Sequence, residues 1–157
     1  MKKNSVPVIL AIGVAALLCS SLAQAQSGPF QFYSITPCRL VDTRNPVGPT
    51  GGPALVGNGV RSFPITGGTC GIPATAKAAV LNVVIVAPTN GGHLRIWPYN
   101  TTMPLAATIN FDINEPAIAN GAIVPLANDP SLQISVFLGT GVGPTAHLVI
   151  DATGYFQ

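Results

Sequence analysis

Leu132-Gln133-Ile134-Ser135-Val136-Phe137-Leu138 alternates along its length: Leu132, Ile134, Val136 and Leu138 share one parity, and Gln133, Ser135 and Phe137 the other. Successive side chains of an extended backbone point to opposite faces, so this stretch predicts a β-strand with its aliphatic face in a core. Outward from it, eight more extended segments are legible, over 30–35, 39–43, 61–65, 79–86, 94–98, 108–112, 122–126 and 147–152, each closed by Gly, Pro or Asn. About nine short strands at close spacing, with no convincing helical periodicity beyond the N-terminal segment, predict an all-β fold, an antiparallel β-sandwich or barrel. Segment 79–86 is apolar on both parities apart from Asn82 and is expected as a central strand covered on both sides. The stretch 45–59 contains Pro46, Gly48, Pro49, Gly51, Gly52, Pro53 and Gly57, too many breakers for a regular element. It is expected either to wrap a sheet edge or to carry function.

Composition agrees with this reading. Of 157 residues, 48% are hydrophobic and only 8% charged, with 17 Gly and 15 Pro. An ordinary soluble domain carries roughly 25% charged residues, and this Gly and Pro load disfavours long helices. The length suits one domain. Lys2 and Lys3, the apolar run 6–19 and Ala23-Gln24-Ala25 together predict a secretory signal peptide over 1–25, leaving one all-β extracellular domain over 26–157. The apolar run is shorter than the roughly 20 residues that span a bilayer, and no second candidate follows, so no membrane span is expected in the mature chain. Cys19 follows the bulky Leu18, which argues against lipid attachment.

Removing 25 of 157 residues leaves 132, with Lys and Arg falling from seven to five against five Asp and Glu. A neutral chain lacks the electrostatic footprint of a nucleic-acid binder. The expected location is secreted, extracellular or periplasmic. Cys38 and Cys70 then remain, and in an oxidising compartment their bridge would close a loop of about 33 residues, contributing roughly 3–4 kcal/mol. Two separate buried thiols are the alternative. Their spacing, with no nearby histidine, does not match a zinc site, and no metal or cofactor is expected.

Three groups of residues recur as motifs: Phe32-Tyr33-Ser34-Ile35-Thr36-Pro37-Cys38-Arg39-Leu40-Val41-Asp42-Thr43-Arg44 near the start, Cys70-Gly71-Ile72-Pro73-Ala74 and Leu81-Asn82-Val83 in the middle, and Asp151-Ala152-Thr153-Gly154-Tyr155-Phe156 at the end. The ordered set resembles bacterial secreted all-β modules with a TPxRxxDTR motif near the N-terminus and a D-x-x-GYF motif at the C-terminus. The similarity spans essentially the whole mature chain. It implies an extracellular all-β domain of unestablished function, of a kind found in tandem or beside cell-wall or peptide-cleaving domains.

Asp42 and Arg44 fall on one face of an extended segment. They are expected to enter a charge-assisted network in which Arg44 forks onto Asp42 or Asp151, closing the first strand against the last. A bound carboxylate or sugar hydroxyl is the alternative use of the same groups. Asn82, Asn110 and Asn120 are expected in the same structural polar network, because a buried amide without partners costs about 1–3 kcal/mol. His93, Arg95 and Trp97 share one face of their segment while Leu94 and Ile96 share the other. With Tyr99 they form the candidate ligand-binding set, an indole beside a guanidinium being able to stack on a sugar ring. A Trp97 covered by Tyr99 and a loop, or an Arg95–Trp97 cation–π pair, are the alternatives.

Catalytic patterns are missing: there is no Gly-x-Ser-x-Gly elbow, no His-Glu-x-x-His and no phosphate-cradling glycine loop. His93 and His147 lie far apart, and Asp112 with Glu115 reads as a turn before a calcium site. The expected function is non-catalytic recognition at the cell surface, of a glycan or a surface protein. The alternative is a structural subunit of an extracellular assembly, self-associating through strand edges.

Overall fold

The computed structural model describes residues 28–157. The expected signal peptide 1–25 and Cys19 lie outside the described residues. Nine strands follow one another: β1 (Phe32–Asp42), β2 (Leu55–Val56), β3 (Val60–Phe63), β4 (Ala78–Val86), β5 (Gly92–Pro98), β6 (Ile109–Phe111), β7 (Ala117–Pro125), β8 (Ile134–Gly139) and β9 (Thr145–Phe156). They form an all-β sandwich of two antiparallel sheets. One has the order β1-β9-β4-β7 with β2 also on β9, and the other the order β3-β8-β5-β6. β9 is the hinge of the larger sheet. One side of it pairs β1, from Phe32↔Phe156 to Asp42↔Val149, and then β2 at Leu55↔Ala146; the other side pairs β4.

The core lies between the sheets and follows strand parity. Ile134, Val136 and Leu138 of β8 are fully buried, as the alternation predicts, and face Ala79, Leu81, Val83 and Ile85 of β4 across one hydrophobic cluster. Each such aliphatic side chain contributes about 1.5–3 kcal/mol on burial. Gln133 departs from its expected solvent side and is buried. Its Oε1 accepts the Ile65 and Thr66 amides at 2.6 and 3.1 Å, and its Nε2 donates to the Asp129 carbonyl at 2.6 Å.

β4 corrects one expectation. Only its inner face is buried; Ala78, Val80, Asn82, Val84 and Val86 are half-buried on the outer face, shielded by side chains of β7 and β9 rather than by a third layer. Strand limits differ too. Segments 30–35 and 39–43 fuse into β1, where Pro37 is tolerated because the strand is an edge and its register shifts between Ser34 and Cys38. β7 begins at Ala117, running through Asn120-Gly121, a pair that resembles a turn in sequence.

The 45–59 stretch wraps the sheet edge, with β2 inside it. Arg61 of β3 holds it: Nη1 donates to the Pro53 carbonyl at 2.7 Å, and Nη2 reaches the carbonyls of Gly48, Gly51 and Gly52 at 2.9, 2.7 and 3.2 Å. The guanidinium also lies 4.7 Å from the Phe63 ring centroid. A Cβ on Gly51 would run into the Pro46 carbonyl oxygen, so the backbone passes too close there for any other residue. Cys38 and Cys70 are joined in a disulfide with Cα atoms 5.6 Å apart, strapping the segment after β3 to the edge strand β1. Among the described residues no helix is long and apolar enough to cross a membrane.

Candidate functional site

The two terminal motifs meet on the outer face of the larger sheet. Asp42, at the end of β1, is buried, and its carboxylate accepts Arg44 Nε at 2.8 Å and Nη2 at 2.6 Å, together with the Arg44 amide at 3.1 Å. Arg39 makes the second fork. Its Nε and Nη2 donate to the two Asp151 oxygens at 2.7 and 3.1 Å, and its Nη1 to Asp42 Oδ2 at 3.1 Å. Asp151, Arg39, Asp42 and Arg44 therefore form one alternating chain of charges from β9 to the end of β1. Arg44 forks onto Asp42, but Arg39 rather than Arg44 spans to Asp151. The reason is register, since Arg39 sits directly opposite Asp151.

The Arg44 side chain, more than any other neighbour, holds the Asp42 carboxyl well below the usual carboxylate range, against the opposing effect of burial. The Asp151 hydrogen bonds raise the Arg39 guanidinium above its ordinary value. Thr43, between the two charged residues, is 1% exposed. Its Oγ1 accepts the Leu148 amide at 2.9 Å and lies 3.2 Å from His147 Nδ1, stitching the turn to β9. Asn82 continues the row: Arg39, Asp151, Asn82 and Gly121 are register partners across four strands. A shallow concavity of about 650 Å³ lies here, lined by Pro37, Cys38, Arg39, Asn82, Asp151 and Thr153. Its charged walls already satisfy one another.

The other two asparagines lie elsewhere. Asn110 is exposed on β6, and Asn120 Nδ2 donates to the Thr108 carbonyl at 2.7 Å, linking β7 to the start of β6. Neither joins the charged cluster, because both sit at the opposite edge of the sandwich.

The His93, Arg95, Trp97 face of β5 is not open. Trp97 is only 7% exposed, and its Nε1 donates to the Thr101 carbonyl at 3.1 Å. The connection to β6 folds back over β5, held by Arg95 Nη1 to the Pro104 carbonyl at 3.3 Å, Thr108 Oγ1 accepting the Ile96 amide at 3.0 Å and the Thr108 amide on the Leu94 carbonyl at 2.7 Å. Trp97 is thus a covered indole rather than a stacking plate. The guanidinium of Arg95 lies over Phe137 of β8, 5.7 Å from its centroid, and the His93 ring is 6.0 Å from the same phenyl. His93 lies flat against Gly139, where a Cβ would strike the imidazole.

Tyr99 of this set lines an open concavity. A groove of about 770 Å³ opens at one end of the sandwich, walled by Phe30, Tyr99 and Phe156, by Pro98 and Pro125, and by Ile123. Lys77, Asn100, Asn128 and Asp129 supply polar groups along its rim. Backbone bonds fix its floor: the Lys77 amide donates to the Phe156 carbonyl at 2.7 Å, and the Leu126 amide to the Lys77 carbonyl at 2.8 Å. Asp129 Oδ1 accepts the Ser131 and Leu132 amides at 2.8 and 2.9 Å, and these bonds lower its carboxyl below the usual range. Sequence reasoning found Tyr99 but missed the groove, since Phe30, Tyr99 and Asp129 lie outside the strands and meet Phe156 only once the connections are placed. Among the described residues no three His, Cys, Asp or Glu side chains converge to hold a metal ion. No protein-family model matches the chain, and no curated protein matches it in sequence.

Proposed function

We propose that the chain is an exported, non-catalytic β-sandwich module that recognises an extracellular glycan, seated in the groove around Tyr99. The observation that carries this reading is the combination of aromatic walls with amide and carboxylate groups on one rim. A pyranose presents an apolar face that packs on an aromatic ring and hydroxyls that pair with planar polar side chains. A concavity of a few hundred Å³ or more is the size such ligands need. The disulfide is compatible with an extracellular or periplasmic location, as is the resemblance to secreted bacterial modules.

Isothermal titration and a glycan array test this directly, using peptidoglycan fragments and common polysaccharides. Binding should fall at least tenfold in Tyr99→Ala and persist in Val142→Ala, which alters an exposed loop residue outside the groove walls. The absence of heat with every glycan tested, or binding indifferent to Tyr99→Ala, overturns the assignment. A surface-protein ligand at the same groove is then the reading to pursue.

A further inference from the structure

β7 is a bare sheet edge. It closes the larger sheet and pairs only with β4, over nine consecutive partners without a register shift. The Ala87 amide bonds the Pro116 carbonyl at 2.9 Å at one end, and the Leu126 amide bonds the Lys77 carbonyl at 2.8 Å at the other. Antiparallel pairing alternates, so even-numbered residues of the strand exchange bonds with β4. Ala117, Ala119, Gly121 and Ile123 turn their amides and carbonyls to the open side, where among the described residues nothing pairs with them.

Natural sheets blunt such edges with charge, bulges, proline or brevity. The other edges here are blunted. β1 is broken by two register shifts, carries Pro37 and is strapped by the disulfide, while β2, β3 and β6 are two, four and three residues long. β7 has no charged residue and no bulge, and its single proline stands at its last position. The outward face of β4 beside it is also uncharged.

We propose that β7 is the seam of a twofold homodimer, pairing antiparallel with β7 of a second copy about Gly121. The register follows from the strand's own chemistry. A twofold at Gly121 sets each Ile123 beside the partner's small Ala119, and each Pro125 beside its Ala117, so bulk meets space along the outer face. Pro125 has no amide to give, yet its carbonyl still accepts, leaving about eight backbone bonds across the seam. Moving the twofold to Ile123 sets the two isoleucines against each other and loses bonds, and moving it on to Pro125 opposes the two prolines. The partner adds only alanines to the rim of the Tyr99 groove, and the two grooves of the pair fall at opposite ends of the seam, about 27 Å apart along the strand direction at the usual rise per residue.

Light scattering after size exclusion of the exported protein is expected to give twice the chain mass. Ala119→Lys, an exposed substitution, should weaken the dimer at least tenfold while leaving the melting temperature of the monomer unchanged. Gly121→Cys supplies a second readout. Paired Cα atoms about 5.5 Å apart lie within bridging range, so a disulfide-linked dimer should form without added cross-linker, whereas Val142→Cys should stay unlinked. A monomer at every concentration, a dimer indifferent to Ala119→Lys, or Gly121→Cys that fails to cross-link overturns the proposal. An edge that instead captures an extended peptide from another protein while the chain stays monomeric overturns it equally. Each of these outcomes is independent of glycan binding at the groove.

Discussion

Arg61 carries more of the fold than its single charge suggests. Four carbonyls of the 48–53 backbone converge on its guanidinium, and burial lowers its pKa from the ordinary value. Replacing it by alanine leaves those acceptors to water and releases the wrap. Arg61→Ala should cost about 2–3 kcal/mol in urea unfolding and make 45–59 the first site of limited proteolysis. Asp42 governs acid stability. Its folded-state carboxyl is depressed, so its contribution is complete above the unfolded value of about 4 and drains away as pH falls toward the folded one. Melting temperature should therefore drop between about pH 5 and pH 2, and Asp42→Asn should flatten that slope while lowering stability at neutral pH. Asp129 adds a smaller contribution of the same sign.

At the scale of the element, the two end strands are fitted to each other by their aromatic pairs. Tyr33 stacks on Tyr155 at 5.2 Å, Phe32 meets Phe156 at 5.4 Å, and the Phe32 ring also covers Gly154. A Cβ at 154 would enter that ring and approach the Tyr33 carbonyl to 2.8 Å. Gly154→Ala should cost about 1–3 kcal/mol, whereas Gly121→Ala, with nothing within 4 Å of the added carbon, should be near neutral. Paired thermal melts of the two variants check the contrast. Alternation in 132–138 makes a core face legible because period two depends only on local backbone, whereas 79–86, apolar on both parities, hides which of its faces is buried. A loop over Trp97 was one of the alternatives open from sequence, but choosing it over an exposed indole depends on where the connection 99–108 travels after leaving β5. Arg61 was equally opaque: an arginine in an edge strand looks solvent-facing until the carbonyls that surround it are placed. Arg39 was visible within its motif, but its role over Arg44 required the register of β1 against β9.

For the whole molecule, stability rests on one interlayer core, a polar clasp and one covalent strap. The Cys38–Cys70 bridge spans a sequence separation of 32 and ties the β3–β4 connection to β1 covalently. Reduction should lower the unfolding free energy by about 3–4 kcal/mol on the loop-entropy model, read as a shift in the urea midpoint with and without reductant. All-β architecture and the meeting of the terminal motifs followed from sequence because they rest on local alternation and on charged groups, whereas the Cys38–Cys70 pairing was an expectation from cysteine count and compartment that the 5.6 Å Cα separation bears out. The groove at the sandwich end did not follow from sequence, because its walls come from both chain ends and two distant connections.

β9 has a consequence for how the chain comes into being. This twelve-residue strand is flanked by β1 and β2 on one side and β4 on the other, so the wider sheet has no middle until β9 arrives. A nascent chain lacking it holds β1 and β4 apart with nothing to join them. Assembly must wait for β9 and then close the long loop that brings Phe32 beside Phe156, a slow non-local search. Until β9 is made, β1 and β4 share no partner and the larger sheet stays open along its middle.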